Sequence, residues 1–212
     1  MGVVSRRHAS RELRLGGLYV ASGCFYGNSF SDTIYAGLGN DSLFGYGGND
    51  RLHGETASDR LFGGIGSDAL HGEAGSDTLD SGVGNDSLAG ATGTDLLIGA
   101  QGKDTMSGGA NNDRFDFNSK LDSAMGTNRD LIKDLFAGDK IDLSTIDADE
   151  RVGGNQAFRL ISGSHFTGAG QLTYNALTHI LSGNTDADSM PEFQIAVNLA
   201  GGNRLDATDF IL

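Results

Sequence analysis

Gly63-Gly64-Ile65-Gly66-Ser67-Asp68-Ala69-Leu70 decides the fold of this chain. Glycines gather just before an aspartate, and a bulky apolar residue follows two positions after it. The same unit recurs every nine residues without an insertion. It places aspartates at Asp32, Asp41, Asp50, Asp59, Asp68, Asp77, Asp86, Asp95, Asp104 and Asp113. Their apolar companions are Ile34, Leu43, Leu52, Leu61, Leu70, Leu79, Leu88, Leu97, Met106 and Phe115. One acid, one apolar residue and one glycine turn per fixed period specify a solenoid. The residues flanking each apolar position suit a very short strand with that side chain turned inward. The glycine-rich run must reverse the chain, which calls for positive φ. Two units then close one coil, and coils stack at about 4.8 Å.

Stacking divides the aspartates into two rows, Asp32, Asp50, Asp68, Asp86 and Asp104, and Asp41, Asp59, Asp77, Asp95 and Asp113. Carboxylates stacked a coil apart repel unless a cation lies between them. Ca²⁺ suits such a row because it takes six to eight oxygens and accepts mixed carboxylate and carbonyl ligands. A metal-free solenoid with aspartates as turn caps is the alternative, but Asn or Ser would cap equally well. Asp alone stands at all ten positions.

The unit resembles the RTX (hemolysin-type) nonapeptide G-G-x-G-x-D-x-U-x over residues 27 to 117. That resemblance implies an all-β, right-handed parallel β-roll in which turn carbonyls join the aspartates of two loops one coil apart around Ca²⁺. The implied ligands are the ladder aspartates with Gly45, Gly47, Gly63, Gly64, Gly66, Gly72, Gly75, Gly82, Gly84, Gly90, Gly93, Gly99 and Gly102. Four gaps in each row set a ceiling of about eight ions. Departures from the pattern lower it. Tyr46, Glu55, Glu73, Ala91 and Ala100 hold the second glycine position, Ala36 and Ser81 the first, and Phe30, Ala57 and Asn111 the third. A residue with Cβ is strained at positive φ. Weak sites are expected near Asp32, Asp59 and Asp113, and the best around Asp50, Asp68, Asp77, Asp86 and Asp104.

Composition agrees with a cation binder. The net charge is −13, and 23 of the 28 acidic residues are Asp. Such a chain repels nucleic acid and anionic membranes. Gly numbers 34 and Pro one, so the glycines follow the period rather than a flexible linker. No apolar run nears the roughly 20 residues needed to span a bilayer, so no membrane insertion is expected. Cys24, the one cysteine, has no internal partner and reads as a semi-buried bystander. The first 15 residues carry Arg6, Arg7, Arg11 and Arg14 without an apolar core or cleavage site, which is not a Sec signal. Residues 1–26 read as an irregular segment, either a short basic helix over Val3 to Leu15 or, favoured, the remnant of a longer parent.

After residue 117 the glycine period stops and short alternating segments read as strands, among them Asp130 to Phe136, Gln171 to Tyr174 and Glu192 to Leu199. Asp113 to Phe117, Asp130 to Ser144, Gly170 to Tyr174, Gly183 to Asp188 and Asp209 to Leu212 resemble the C-terminal domain of serralysins, secreted bacterial zinc proteases of the M10 class. The resemblance implies that residues 118–212 form a C-terminal β-rich cap and secretion domain. Its uncleaved type I (ABC-transporter) export signal would end at Asp209, Phe210, Ile211 and Leu212, giving a secreted, extracellular protein. Asn184, Asp186 and Asp188 have cation-loop spacing but lack the Gly and terminal acid of an EF-hand, so a solvated acidic turn is preferred over a further calcium site.

No catalytic role is expected. None of His8, His53, His71, His165 and His179 is followed by Glu, so the H-E-x-x-H zincin motif is missing, and no G-x-S-x-G elbow or P-loop occurs. His53-Gly54-Glu55 and His71-Gly72-Glu73 recur two units apart and should stack on one edge as surface residues of related repeats. Two other readings stand beside a calcium-folded export module. One is a stand-alone adhesive solenoid, whose flat Thr row is not matched by the mixed outward positions Thr33, Arg51, Ala69, Ser87 and Thr105. The other is the remnant of an RTX lipase or epimerase.

Overall fold

The computed structural model describes residues 22–212 except 163, 164, 187 and 203, together with the backbone of Val3–Val4 and Glu12–Arg14. It is an all-β parallel solenoid of about five turns. One sheet stacks Cys24–Asn28, Ser42–Gly47, Arg60–Ile65, Thr78–Gly84, Leu96–Ile98, Arg114–Asp116, Lys140–Asp142 and Phe210–Ile211. The other stacks Thr33–Tyr35, Arg51–His53, Ala69–Ala74, Ser87–Thr92, Thr105–Ala110 and Asp130–Leu135, then Phe193–Leu199.

Register within the repeats is one coil of two units, as in Leu43↔Leu61↔Leu79 and Leu52↔Leu70↔Leu88. Side chains alternate across a strand, so each unit turns one apolar residue inward, successive units from alternate sheets. From Leu43 to Phe115 these residues are almost completely buried and form the thin core between the sheets. The outward rows run Ser42↔Arg60↔Thr78↔Leu96↔Arg114 and Thr33↔Arg51↔Ala69↔Ser87↔Thr105.

Both ends of the roll extend past the limits suggested by the glycine period. Upstream, Cys24–Asn28 is a ladder strand, with Phe25 in the core and Gly23 where the period would place an aspartate. Val3–Val4 pairs with it in parallel, and Glu12–Arg14 pairs with Thr33–Tyr35. Within residues 1–26, Val3–Val4, Glu12–Arg14 and the start of Cys24–Asn28 are thus strand. The rest of that reading lies outside the described residues.

Downstream, residue 117 marks no break. Thr105 pairs with Leu131 and Arg114 with Lys140, a longer step along the chain than one coil of the repeats. Asp104 and Asp130 show its size, with a separation of 26 where Asp86 and Asp104 have 18, a difference of eight (26 − 18). The loop after Phe117 takes up the excess, and there Asp122 accepts from the amides of Asn118 and Ser119. The sheets close with Phe210–Ile211 on one side and, on the other, with Gln171–Asn175, Ile180–Asn184 and Phe193–Leu199 paired antiparallel. One apolar core joins Phe25 to Phe158, Phe193 and Phe210. Strands from residues 130 to 211 thus extend both sheets of the roll.

Candidate metal centre

The ten sequence-assigned aspartates stand where the period puts them, at the start of the inward strands, and each is at most 4% exposed. A single hydrogen bond repeats down each row. The backbone N–H of Asp32 donates to Asp50 Oδ1 at 2.7 Å, that of Asp50 to Asp68, of Asp68 to Asp86, and of Asp86 to Asp104. In the second row Asp41 donates to Asp59, Asp59 to Asp77, Asp77 to Asp95, and Asp95 to Asp113. Every ladder carboxyl except that of Asp32 is fixed by the coil before it, Asp41 through the Gly23 N–H.

The structure adds two rungs that the sequence reading missed. Asp104 N–H donates to Asp130 Oδ1 at 2.7 Å, and Asp113 N–H donates to Asp139 Oδ1 at 2.9 Å. Asp130-Leu131-Ile132 and Asp139-Lys140-Ile141 keep the acid-x-apolar spacing and lie nine residues apart, with Ile132 and Ile141 wholly buried. That pair was the available signal; the preceding loop hid it by shifting the period.

The second carboxyl oxygen carries the chemistry. Oδ2 is buried without a hydrogen-bond partner at Asp50, Asp68, Asp86, Asp104 and Asp130 in one row, and at Asp41, Asp59, Asp77, Asp95 and Asp113 in the other. The outer rungs differ. Asp32 Oδ2 accepts from the Asn28 backbone and side chain, and Asp139 Oδ2 from the Phe136 amide. Asp32 is thus set apart from the inner rungs. The carboxyls of Asp59 and Asp113 sit and bond like those of their neighbours.

Where the first position of a unit is glycine, it makes room for this oxygen. A Cβ on Gly63 would come within 2.6 Å of both Asp68 Oδ2 and the Ser81 carbonyl. Ser81 takes that position beside Asp86, and its Oγ donates to the Gly99 carbonyl at 2.9 Å. The second glycine supplies backbone shape instead. Tyr46, Glu55, Glu73, Ala91 and Ala100 all have positive φ, between 57° and 79°. The turn is therefore kept, and the strain is borne by the side chain. Replacing Ala91 (φ 79°) with Gly removes a left-handed Cβ penalty of about 1 kcal/mol. Ala91→Gly is expected to raise Tm in calcium by about 2–4 °C by calorimetry.

Burial holds seven of these carboxyls far above the usual carboxylate range. Asp50, Asp59, Asp95 and Asp130 rise to about 7, and Asp86 and Asp113 to about 6. Asp104, between Asp86 and Asp130, rises to about 8, through burial first and then the charge of Asp130. Lost hydration is the largest cause throughout, opposed by the backbone N–H bond. An unpaired buried carboxylate is a costly arrangement. An oxygen-only donor set, fixed by backbone and free of His or Cys, fits a hard divalent cation such as Ca²⁺.

The repeated His motif does stack. His53 and His71 rings lie 4.7 Å apart with Tyr35 4.5 Å above His53, and His53 Nδ1 lies 3.1 Å from Glu73 Oε1. Burial lowers the His71 pKa. On the other sheet Phe44 stacks between Tyr26 and Phe62 at 5.3 and 5.0 Å. At the C-terminus Asp209 Oδ2 accepts from the Asp206 amide in a capping box, and Phe210 is buried in the last strand.

Two stacked rows of cation-seeking carboxyls on a parallel roll define a structural calcium-binding module. Residues 26–61, 53–88 and 89–119 match the RTX calcium-binding nonapeptide repeat family (4 copies), so the chain carries RTX calcium-binding repeats. No curated protein matches the sequence. Among solved structures, the chain is similar to the solution structure of the AlgE6R3 subunit from the Azotobacter vinelandii mannuronan C5-epimerase. The identity is 24% and the TM-score 0.41, over 87% of this chain and 80% of that one. Among the described residues, no helix is long and apolar enough to cross a membrane.

Proposed function

We propose that this chain is a calcium-folded module that supports type I export and extracellular stability of a serralysin-like protein. The observation that carries the calcium reading is the double row of buried, unpartnered Asp Oδ2 atoms. Ca²⁺ between successive rungs supplies the positive charge those oxygens lack. Asp50, Asp68, Asp86, Asp104 and Asp130 hold it in one row, and Asp41, Asp59, Asp77, Asp95 and Asp113 in the other, with glycine-turn carbonyls as further ligands. The unfolded chain has no such site, so binding and folding are one event. Extracellular calcium sites have dissociation constants of about 10⁻⁴–10⁻³ M. The chain then stays exportable where calcium is scarce and folds where it is plentiful.

The export part rests on the serralysin-like segments after residue 117, Asp209-Phe210-Ile211-Leu212 among them. Calcium titration calorimetry of the full chain is expected to show several ions per molecule, and fewer for Asp68→Asn/Asp86→Asn. Absence of binding at millimolar calcium would overturn the calcium reading. In cells with a type I exporter, deletion of the last four residues is expected to abolish appearance in the medium. Undiminished export would overturn the secretion reading and leave the calcium reading intact.

A further inference from the structure

Outside the aspartate rows, the hairpin joining Ile180–Asn184 to Phe193–Leu199 gathers a second set of oxygen donors. Gly183 pairs with Phe193 across the antiparallel strands, so the loop between them folds back on itself. That return brings Glu192 beside Asp186 and Asp188, and carboxylate oxygens of the three lie within 4.8 Å of one another. Sequence spacing had pointed to Asn184, Asp186 and Asp188 alone. The closing acid comes at Glu192 because the hairpin, not an EF-hand helix, sets where the chain returns.

The loop is built rather than merely acidic. Asp188 N–H donates to Asp186 Oδ1 at 2.8 Å, Met190 N–H to Asp188 Oδ1 at 2.6 Å, and Thr185 N–H to Glu192 Oε2 at 2.5 Å. Beneath it, Asn184 and Thr185 are wholly buried. Asn184 Nδ2 donates to the carbonyls of Asp188 and Met190 at 3.0 and 2.9 Å, which holds its amide inside the turn that the carboxyls rim. Asn184 Oδ1 and Thr185 Oγ1 have no hydrogen-bond partner. Two orphaned buried oxygens under three converging carboxyls are what a cation would complete. The basic group that senses Asp186, Arg151, is already held by Asp149 through two 2.8 Å bonds.

We propose that this loop is a calcium site separate from the roll, with Asp186, Asp188 and Glu192 as carboxylate ligands and Asn184 Oδ1 and Thr185 Oγ1 as neutral ones. Five protein oxygens with water to fill the shell meet the six to eight that Ca²⁺ takes, and the flexible geometry of Ca²⁺ suits a hairpin better than the strict octahedron of Mg²⁺. The ion would clamp the antiparallel hairpin that caps the solenoid, independently of the ladder.

Equilibrium dialysis of the full chain at saturating calcium counts bound ions in wild type, Asp188→Asn and Glu192→Gln, with far-UV circular dichroism verifying the roll. Each variant is expected to bind one ion fewer with unchanged strand content. The two near-isosteric substitutions are independent, so one that fails to fold leaves the other to decide. An unchanged count in a folded variant overturns the proposal. The ladder is read separately, from Asp68→Asn/Asp86→Asn. If only the hairpin variants lower the count, the ladder reading fails and the hairpin site stands; the converse result leaves the ladder and removes the hairpin site.

Discussion

In chelator at neutral pH the chain is expected to lose its strand signal, and to regain it cooperatively as calcium rises into the millimolar range. Ten carboxyl oxygens without partners lie buried between coils, and an unpartnered buried charge weighs heavily against the folded state. The core opposing it is thin, with one apolar residue per nine-residue unit. Linkage gives the size of the calcium effect. An ion with a dissociation constant of about 10⁻⁴ M stabilises by about 2.3 kcal/mol at 5 mM, from RT ln(1 + [L]/Kd). About four such ions give roughly 9 kcal/mol, comparable with the entire stability of an ordinary domain. Calcium is therefore expected to decide whether the roll forms. Circular dichroism with and without chelator makes the check. Equal strand content in both, with equal Tm, would sink the idea.

The aspartate ladder could be read from sequence because both its spacing and its residue type are strict. Asp50 through Asp113 needed no structure to be placed in two rows, and the left-handed turn at Tyr46, Glu55 and Glu73 followed from their taking glycine positions. The ends were hidden for a physical reason. A solenoid needs its strands in register but not its loops equal in length, so the longer loop before Asp130 leaves the stacking intact while breaking the period. Asp130 and Asp139 then look like ordinary strand residues. Phe25 is concealed in the opposite way: its unit has the apolar residue but Gly23 in place of the acid, so the strand exists without a rung. Glu192 belongs to a third kind. Its nearness to Asp186 and Asp188 comes from antiparallel pairing, which carries no fixed sequence spacing.

Without calcium, acid should stabilise this protein, the reverse of the usual response of carboxylates. The sign follows from the direction of the shifts. A carboxyl held low in the folded state adds stability that is lost on acidification. Here the folded-state values are raised from 3.8 to about 6 at Asp86 and Asp113, about 7 at Asp50, Asp59, Asp95 and Asp130, and about 8 at Asp104. Between those limits the folded chain binds more protons than the unfolded one, so stability falls as pH rises. The favourable contribution is complete below about pH 4 and is lost through pH 6 to 8. Even if solvent screening leaves only ~3 kcal/mol from all seven groups together, the folded-to-unfolded ratio changes by about a hundredfold. In chelator, circular dichroism is expected to show more strand content at pH 5 than at pH 8, where the roll is lost. With calcium the order inverts, because protons and Ca²⁺ compete for the same Oδ2 atoms and binding weakens as the carboxyls protonate. Strand content in chelator that does not rise from pH 8 to pH 5 would mean that these carboxyls are not buried unpaired, and it would remove the physical reason for the calcium requirement.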